Sequence, residues 1–152
     1  MLLFGEIDPA PVRRLLESFG IALASVPDAQ PIPGSYWGEP EAGLVGATVH
    51  ARRDTPVHSL LHEACHLIVL APGQRESVHT DATRSVAEED ASCYLQIVLG
   101  ARLPEVGAER LMCDMDAWGY TFRLGSTRAW FEHDTELTRA WLAARELPHR
   151  LD

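Results

Sequence analysis

Two histidines four residues apart, His62 and His66, are the residues of this chain best suited to chemistry. On a helix that spacing projects both imidazoles from one face, one turn above the other, so that both reach a single cation. Glu63 stands between them, one position round the helix. It is poorly placed to ligate and well placed to take a proton from a water that the cation polarises. The stretch Leu61-His62-Glu63-Ala64-Cys65-His66-Leu67-Ile68 is therefore an H-E-x-x-H motif, the spacing of a hydrolytic zinc centre. Cys65 lies inside the motif but points away from the histidine pair, and reads as a small packed residue.

Two imidazoles do not complete such a centre, which takes three protein ligands and leaves one position for water. Glu88 and Glu89 follow on a later helix, after a loop long enough to fold that helix back. Glu88 shares a helical face with Ala91 and Leu95, the face expected to be buried. Glu89 shares its face with Ser92, Cys93 and Gln96, which is more polar. On that argument Glu88 is the expected third ligand and Glu89 the alternative.

The elements that must position these groups are legible in outline. Pro56 after Asp54-Thr55 reads as an N-cap followed by a first-turn proline. Val57, Leu60, Leu61, Ala64, Leu67 and Ile68 then recur at helical spacing until Ala71-Pro72-Gly73. Asp8-Pro9 opens an earlier helix with Val12, Leu15, Leu16 and Phe19 as its stripe and Gly20 as its stop. Ile21 to Val26 reads as a strand. Residues 27–43 read as a Pro- and Gly-punctuated loop, with brief pairing at Ser35-Tyr36-Trp37 and that aromatic pair as satellite core. Leu44 to Arg52 alternates as one strand running into the motif helix, and reads either as an edge that would hold a substrate backbone by strand addition or as an ordinary sheet strand. Residues 72–85 read as a polar loop whose His79 and Asp81 are solvated. Val86 to Leu99 is a helix closed by Gly100. A further helix from Leu103-Pro104 carries Val106, Leu111, Met112, Met115, Trp118 and Phe122. Gly125-Ser126 breaks the chain before a last helical region ending near Leu147-Pro148. The aromatic stripes of these helices read as core. The pattern predicts an α+β fold, zincin-like, with a small mixed or antiparallel sheet packed on the active-site helix and additional C-terminal helices.

Composition narrows the possible roles. At 152 residues, residues 1–152 are expected to form a single domain with a real core. All 13 basic residues are Arg, and the formal charge is −9, so binding to nucleic acid or to an anionic membrane is not expected. No apolar run approaches the roughly 20 residues of a membrane span. Met1-Leu2-Leu3-Phe4 has neither the length nor the basic lead of a signal peptide. Cys65, Cys93 and Cys113 are odd in number and spread through helices, which predicts reduced thiols and a cytoplasmic location.

His62-Glu63-x-x-His66 followed by Glu88-x-x-Ala91-Ser92-x-Tyr94-Leu95 resembles a small gluzincin. It is similar in particular to the ImmA/IrrE-type peptidases, with H-E-x-x-H and a downstream Glu-x-x-Ala-Asn-x-Phe-Ala. The resemblance covers the stretch from His62 to Leu95. It implies a metallopeptidase with Zn²⁺ held by His62, His66 and Glu88, Glu63 as general base, and a peptide or protein substrate. The family carries Asn or Asp where Ser92 stands, there to orient a ligand histidine. Asp81, Asp114 or Asp116 is expected to supplement Ser92. Relatives stabilise the oxyanion with a Tyr or His from the C-terminal part, for which Tyr120, His133 and His79 are the candidates here. His58, one turn before His62, is expected on the helix surface. The competing expectations are a non-catalytic zinc-binding domain and a metal-free interaction domain.

Overall fold

The computed structural model describes residues 1–35, 38–82 and 85–151. The expectation for Tyr36 and Trp37 lies outside the described residues. Helix α1 spans Pro9–Glu17, with the Asp8 carboxylate accepting from the Ala10 N–H at 3.0 Å and Pro9 in the first turn, as its sequence predicts. Strand β1, Ala22–Val26, follows.

The alternating stretch expected as one strand is a hairpin. Strand β2 spans Gly43–Val45 and strand β3 spans Thr48–Arg52, with Val45 opposite Thr48. Gly46 and Ala47 make the turn, and Gly46 adopts φ +58°, a conformation that a glycine takes without a Cβ penalty. Period-two alternation runs straight through a two-residue turn, so the pattern alone hid it. The sheet order is β1-β3-β2, parallel between β1 and β3 and antiparallel between β3 and β2. The fold is thus α+β with a small mixed sheet.

Helix α2, Val57–Val69, carries the motif, and the central β3 leads into it through a tight connection. Asp54 does not cap it. Its carboxylate is taken up by the buried Arg52 guanidinium, at 2.6 and 2.9 Å, which also binds Glu39 at 2.7 Å and the Gln30 carbonyl at 2.8 Å. Pro56 occupies the N-cap position instead, and the Val57 N–H bonds back to the Leu2 carbonyl at 3.0 Å. Leu60, Leu61, Ala64, Cys65 and Leu67 are fully buried, so α2 runs through the core rather than over it. Truncating one of these leucines to alanine costs about 2–5 kcal/mol by lost transfer energy and cavity formation. At the other end, buried Arg75 from the 3-10 segment Pro72–Ser77 donates to the Leu67 and Phe19 carbonyls, at 2.8 and 2.6 Å.

Helix α3, Val86–Ala101, is capped by Ser85, whose hydroxyl accepts from the Glu88 N–H. It passes through Gly100 rather than stopping there. A Cβ on Gly100 would meet the Leu111 side chain at 2.7 Å, so the glycine serves helix packing and not termination. Helix α4 is Ala108–Trp118, starting later than Leu103-Pro104, and Gly119 closes it at φ +113°. Phe122 lies beyond its end. Helices α5, Thr127–His133, and α6, Glu136–Ala144, complete the chain. The core aromatics pair across elements: Phe122 stacks on Trp130 and Tyr94 on Phe131. Among the described residues no helix is long and apolar enough to cross a membrane.

Candidate metal centre

Helices α2 and α3 meet through a row of polar contacts inside an otherwise apolar interface. Ser92 faces His66, while Gln96 faces His62 and the His58 carbonyl, so the two helices run antiparallel. The α2 spacing brings the two Nε2 atoms of His62 and His66 to 2.9 Å. Glu89 of α3 closes the group, with its carboxylate oxygens 3.1 Å from His62 Nε2 and 3.3 Å from His66 Nε2. All three ligand atoms lie within 4.8 Å of one another. Donors about 2.0–2.1 Å from a tetrahedral zinc stand roughly 3.3 Å apart, so this spacing fits one ion with a fourth position to spare.

The hydrogen bonds behind the ligands present the correct atoms. His62 Nδ1 donates to Gln96 Oε1 at 2.6 Å, so that loss of the proton on Nε2 frees that lone pair for a cation. The Ser92 hydroxyl donates to the Glu88 carbonyl at 2.8 Å and therefore accepts from His66 Nδ1 at 3.3 Å. The Gln96 amide also donates to the His58 carbonyl at 3.2 Å, so its oxygen is the end that faces His62. Cys93, one turn beyond Glu89, is a buried free thiol whose Sγ lies 3.8 Å from Glu89 Oε1. Burial pushes its pKa up, keeping it a neutral donor.

The acid on α3 is Glu89, where the sequence argument chose Glu88. That argument equated the buried face with the apolar face. In the structure α3 is buried on all sides from Ala91 to Gly100, and the face turned to α2 is the polar one. One residue of helix rotates Glu88 about 100° off that stripe, and its backbone serves the Ser85 cap and the Ser92 hydroxyl. Gln96 was missed as a partner. A glutamine seven positions past Glu89 and four past Ser92, on the same face, was the available signal.

The group opens on a cleft of about 490 Å³ lined by Glu41, Ser59, Glu63, Asp81, Trp118 and Tyr120, among others. Glu63 lies within this cleft beside the ligand pair. Burial pushes its carboxyl up to about 7, with Glu41, Glu89 and Asp81 adding to the rise and His62 opposing it. Burial, joined by the charge of His62, pulls His66 down to about 4.

Of the oxyanion candidates, Tyr120 alone lines the cleft, with its ring edge-on to His62 at 5.7 Å between centroids. His133 is exposed at the end of α5, and His79 is exposed and bonded to its neighbour Thr80 at 2.8 Å. Asp81 is at the cleft rim. Asp114 and Asp116 are committed elsewhere, to the Leu2 N–H at 2.9 Å and to Thr127 at 2.6 and 2.9 Å, so neither supports a ligand histidine. His58 is not on the helix surface. It is 1% exposed and lies against Trp118 and Tyr120.

Of the two readings of Leu44 to Arg52, an edge open to substrate or ordinary sheet strand, the second holds. β3 is central, and the outer side of β2 is taken: Leu44 donates to the Gly34 carbonyl at 3.3 Å and accepts from the Thr80 N–H at 2.9 Å. The Gly46 N–H bonds to the Val78 carbonyl at 2.8 Å. The segment after α2 thus lies along β2 and forms one wall of the cleft. No protein family, curated protein or solved structure matches this chain.

Proposed function

We propose that the protein is a zinc-dependent hydrolase of zincin-like architecture, acting on peptide bonds, with His62, His66 and Glu89 as the metal ligands. The observation that carries this reading is the convergence of those three donors at 2.9–3.3 Å beside Glu63 in one cleft. Bound zinc supplies Lewis acidity and brings the pKa of a coordinated water toward ~7. Glu63 acts as general base at its carboxylate, taking the proton of the attacking water and handing it to the leaving amine nitrogen. Gln96 and Ser92 hold the two imidazoles with Nε2 forward. Tyr120 donates its O–H to the negative charge that builds on the scissile carbonyl oxygen. With β2 covered, the substrate lies between the 78–81 segment and the Trp118–Tyr120 side of the cleft. The three free thiols suit a reducing, cytoplasmic setting.

The test is metal analysis and peptide hydrolysis on the wild type and Glu63→Gln. The wild type should carry about one zinc per chain and hydrolyse peptide. Glu63→Gln should keep the zinc and lose turnover by 10²-fold or more. Unchanged turnover in that variant sinks the mechanism, and zinc retained without turnover in the wild type leaves a structural metal site.

A further inference from the structure

One buried polar group near the centre has no role in that mechanism. His58 sits one turn before His62 on α2, lines the same cleft and is 1% exposed. Trp118 packs over its ring at 5.1 Å, and its Nδ1 lies 3.3 Å from the Tyr120 hydroxyl. Its Nε2 is buried and has no hydrogen-bond partner among the described residues.

These contacts decide where the proton of a neutral imidazole sits. Were it on Nε2, a buried N–H would be orphaned, which folded proteins rarely tolerate. With the proton on Nδ1, only a bare lone pair is left unpaired, and the N–H has the Tyr120 oxygen to bond. Burial keeps the ring neutral. In this tautomer His58 donates and Tyr120 accepts, so the Tyr120 hydrogen is turned away from His58. Resting on the hydrolase reading above, we infer that His58 is a positioning residue: its Nδ1–H sets the direction of the Tyr120 hydroxyl, so that Tyr120 donates into the cleft.

The role has a signature that simple packing lacks. In His58→Asn the side-chain amide nitrogen takes the place of Nδ1 and still donates. In His58→Leu that donor is gone and the Tyr120 hydroxyl keeps only its contact with Gln96. The Leu variant should lose about 10-fold in kcat with KM and zinc content unchanged, and the Asn variant should recover most of that loss. In a Tyr120→Phe background His58→Leu should have no further effect, because the group it positions is absent. Independently of activity, long-range ¹H–¹⁵N correlation spectra of histidine-labelled, metal-free protein should show the His58 proton on Nδ1, assigned by its loss in His58→Asn.

A proton on Nε2, or an equal His58→Leu loss with and without the Tyr120 hydroxyl, overturns the role of His58 and leaves the hydrolase reading standing. A rise in KM at constant kcat also overturns it, making His58 a substrate contact. Failure of the wild type to hydrolyse any peptide, with Glu63→Gln indistinguishable from it, overturns the hydrolase reading and this role together.

Discussion

Gln96 Oε1 accepts a 2.6 Å hydrogen bond from His62 Nδ1, across the α2–α3 interface and 34 residues away in sequence. The pair fixes the tautomer of His62 and the rotation of its ring, and so directs Nε2 at the point where Glu89 and His66 converge. Gln96 is fully buried, and its amide is held in turn by the His58 carbonyl. Replacing it removes the acceptor and leaves a buried imidazole N–H without one.

Gln96→Leu should therefore weaken zinc binding by about 10- to 100-fold, the usual cost of losing such a support. Gln96→Glu, which keeps an acceptor and adds charge, should bind zinc at least as tightly as the wild type. Competition with a chelator of known affinity measures both. Equal affinity in the Leu variant removes Gln96 from the centre.

Glu88 and Glu89 make a sharper comparison, since they are adjacent and chemically identical. Glu89→Ala should reduce bound zinc far below one equivalent per chain after dialysis. Glu88→Ala should retain it. Loss of metal from the Glu88 variant alone reverses the assignment.

The metal-free protein should lose stability on mild acidification, with His58 contributing beside His66, which burial also pulls down to about 4. Burial pulls His58 down to about 4 from the ordinary 6.5. The folded state thus binds fewer protons than the unfolded state between those values, so stability rises with pH there. The contribution is fully present above pH 6.5 and is lost as pH falls through 4, amounting to about 3 kcal/mol at 1.36 kcal/mol per unit. Urea unfolding from pH 7.5 to 4 should show a flatter decline for His58→Asn than for the wild type. Parallel declines would remove His58 as a source of acid sensitivity.

Much of this was legible before any coordinates. Asp8-Pro9 starts α1 and the apolar spacing from Val57 makes α2, because caps and the helical recurrence of apolar residues act within a few residues. What misled were signals that carry more than one structural meaning. Asp54 resembles a cap, yet Arg52 takes its carboxylate. Gly100 resembles a stop, yet it makes room for Leu111. Leu44 to Arg52 alternates without interruption, yet Gly46 reverses the chain inside it. Only at Gly100 did a tertiary partner decide; Asp54 was taken by a residue two positions away and Gly46 acted through its own backbone conformation.

The amino-acid sequence alone determined that His62 and His66 share a face with Glu63 beside them, because 3.6 residues per turn leaves no other arrangement on a helix. Which acid meets them depends on how α3 is rolled about its own axis against α2. That roll is set by packing on every side of a helix buried all round, so neither hydrophobicity nor spacing within α3 could decide between neighbouring glutamates. Only the tertiary structure turned Glu89, Ser92 and Gln96 inward, and brought Tyr120 from beyond α4 onto His58.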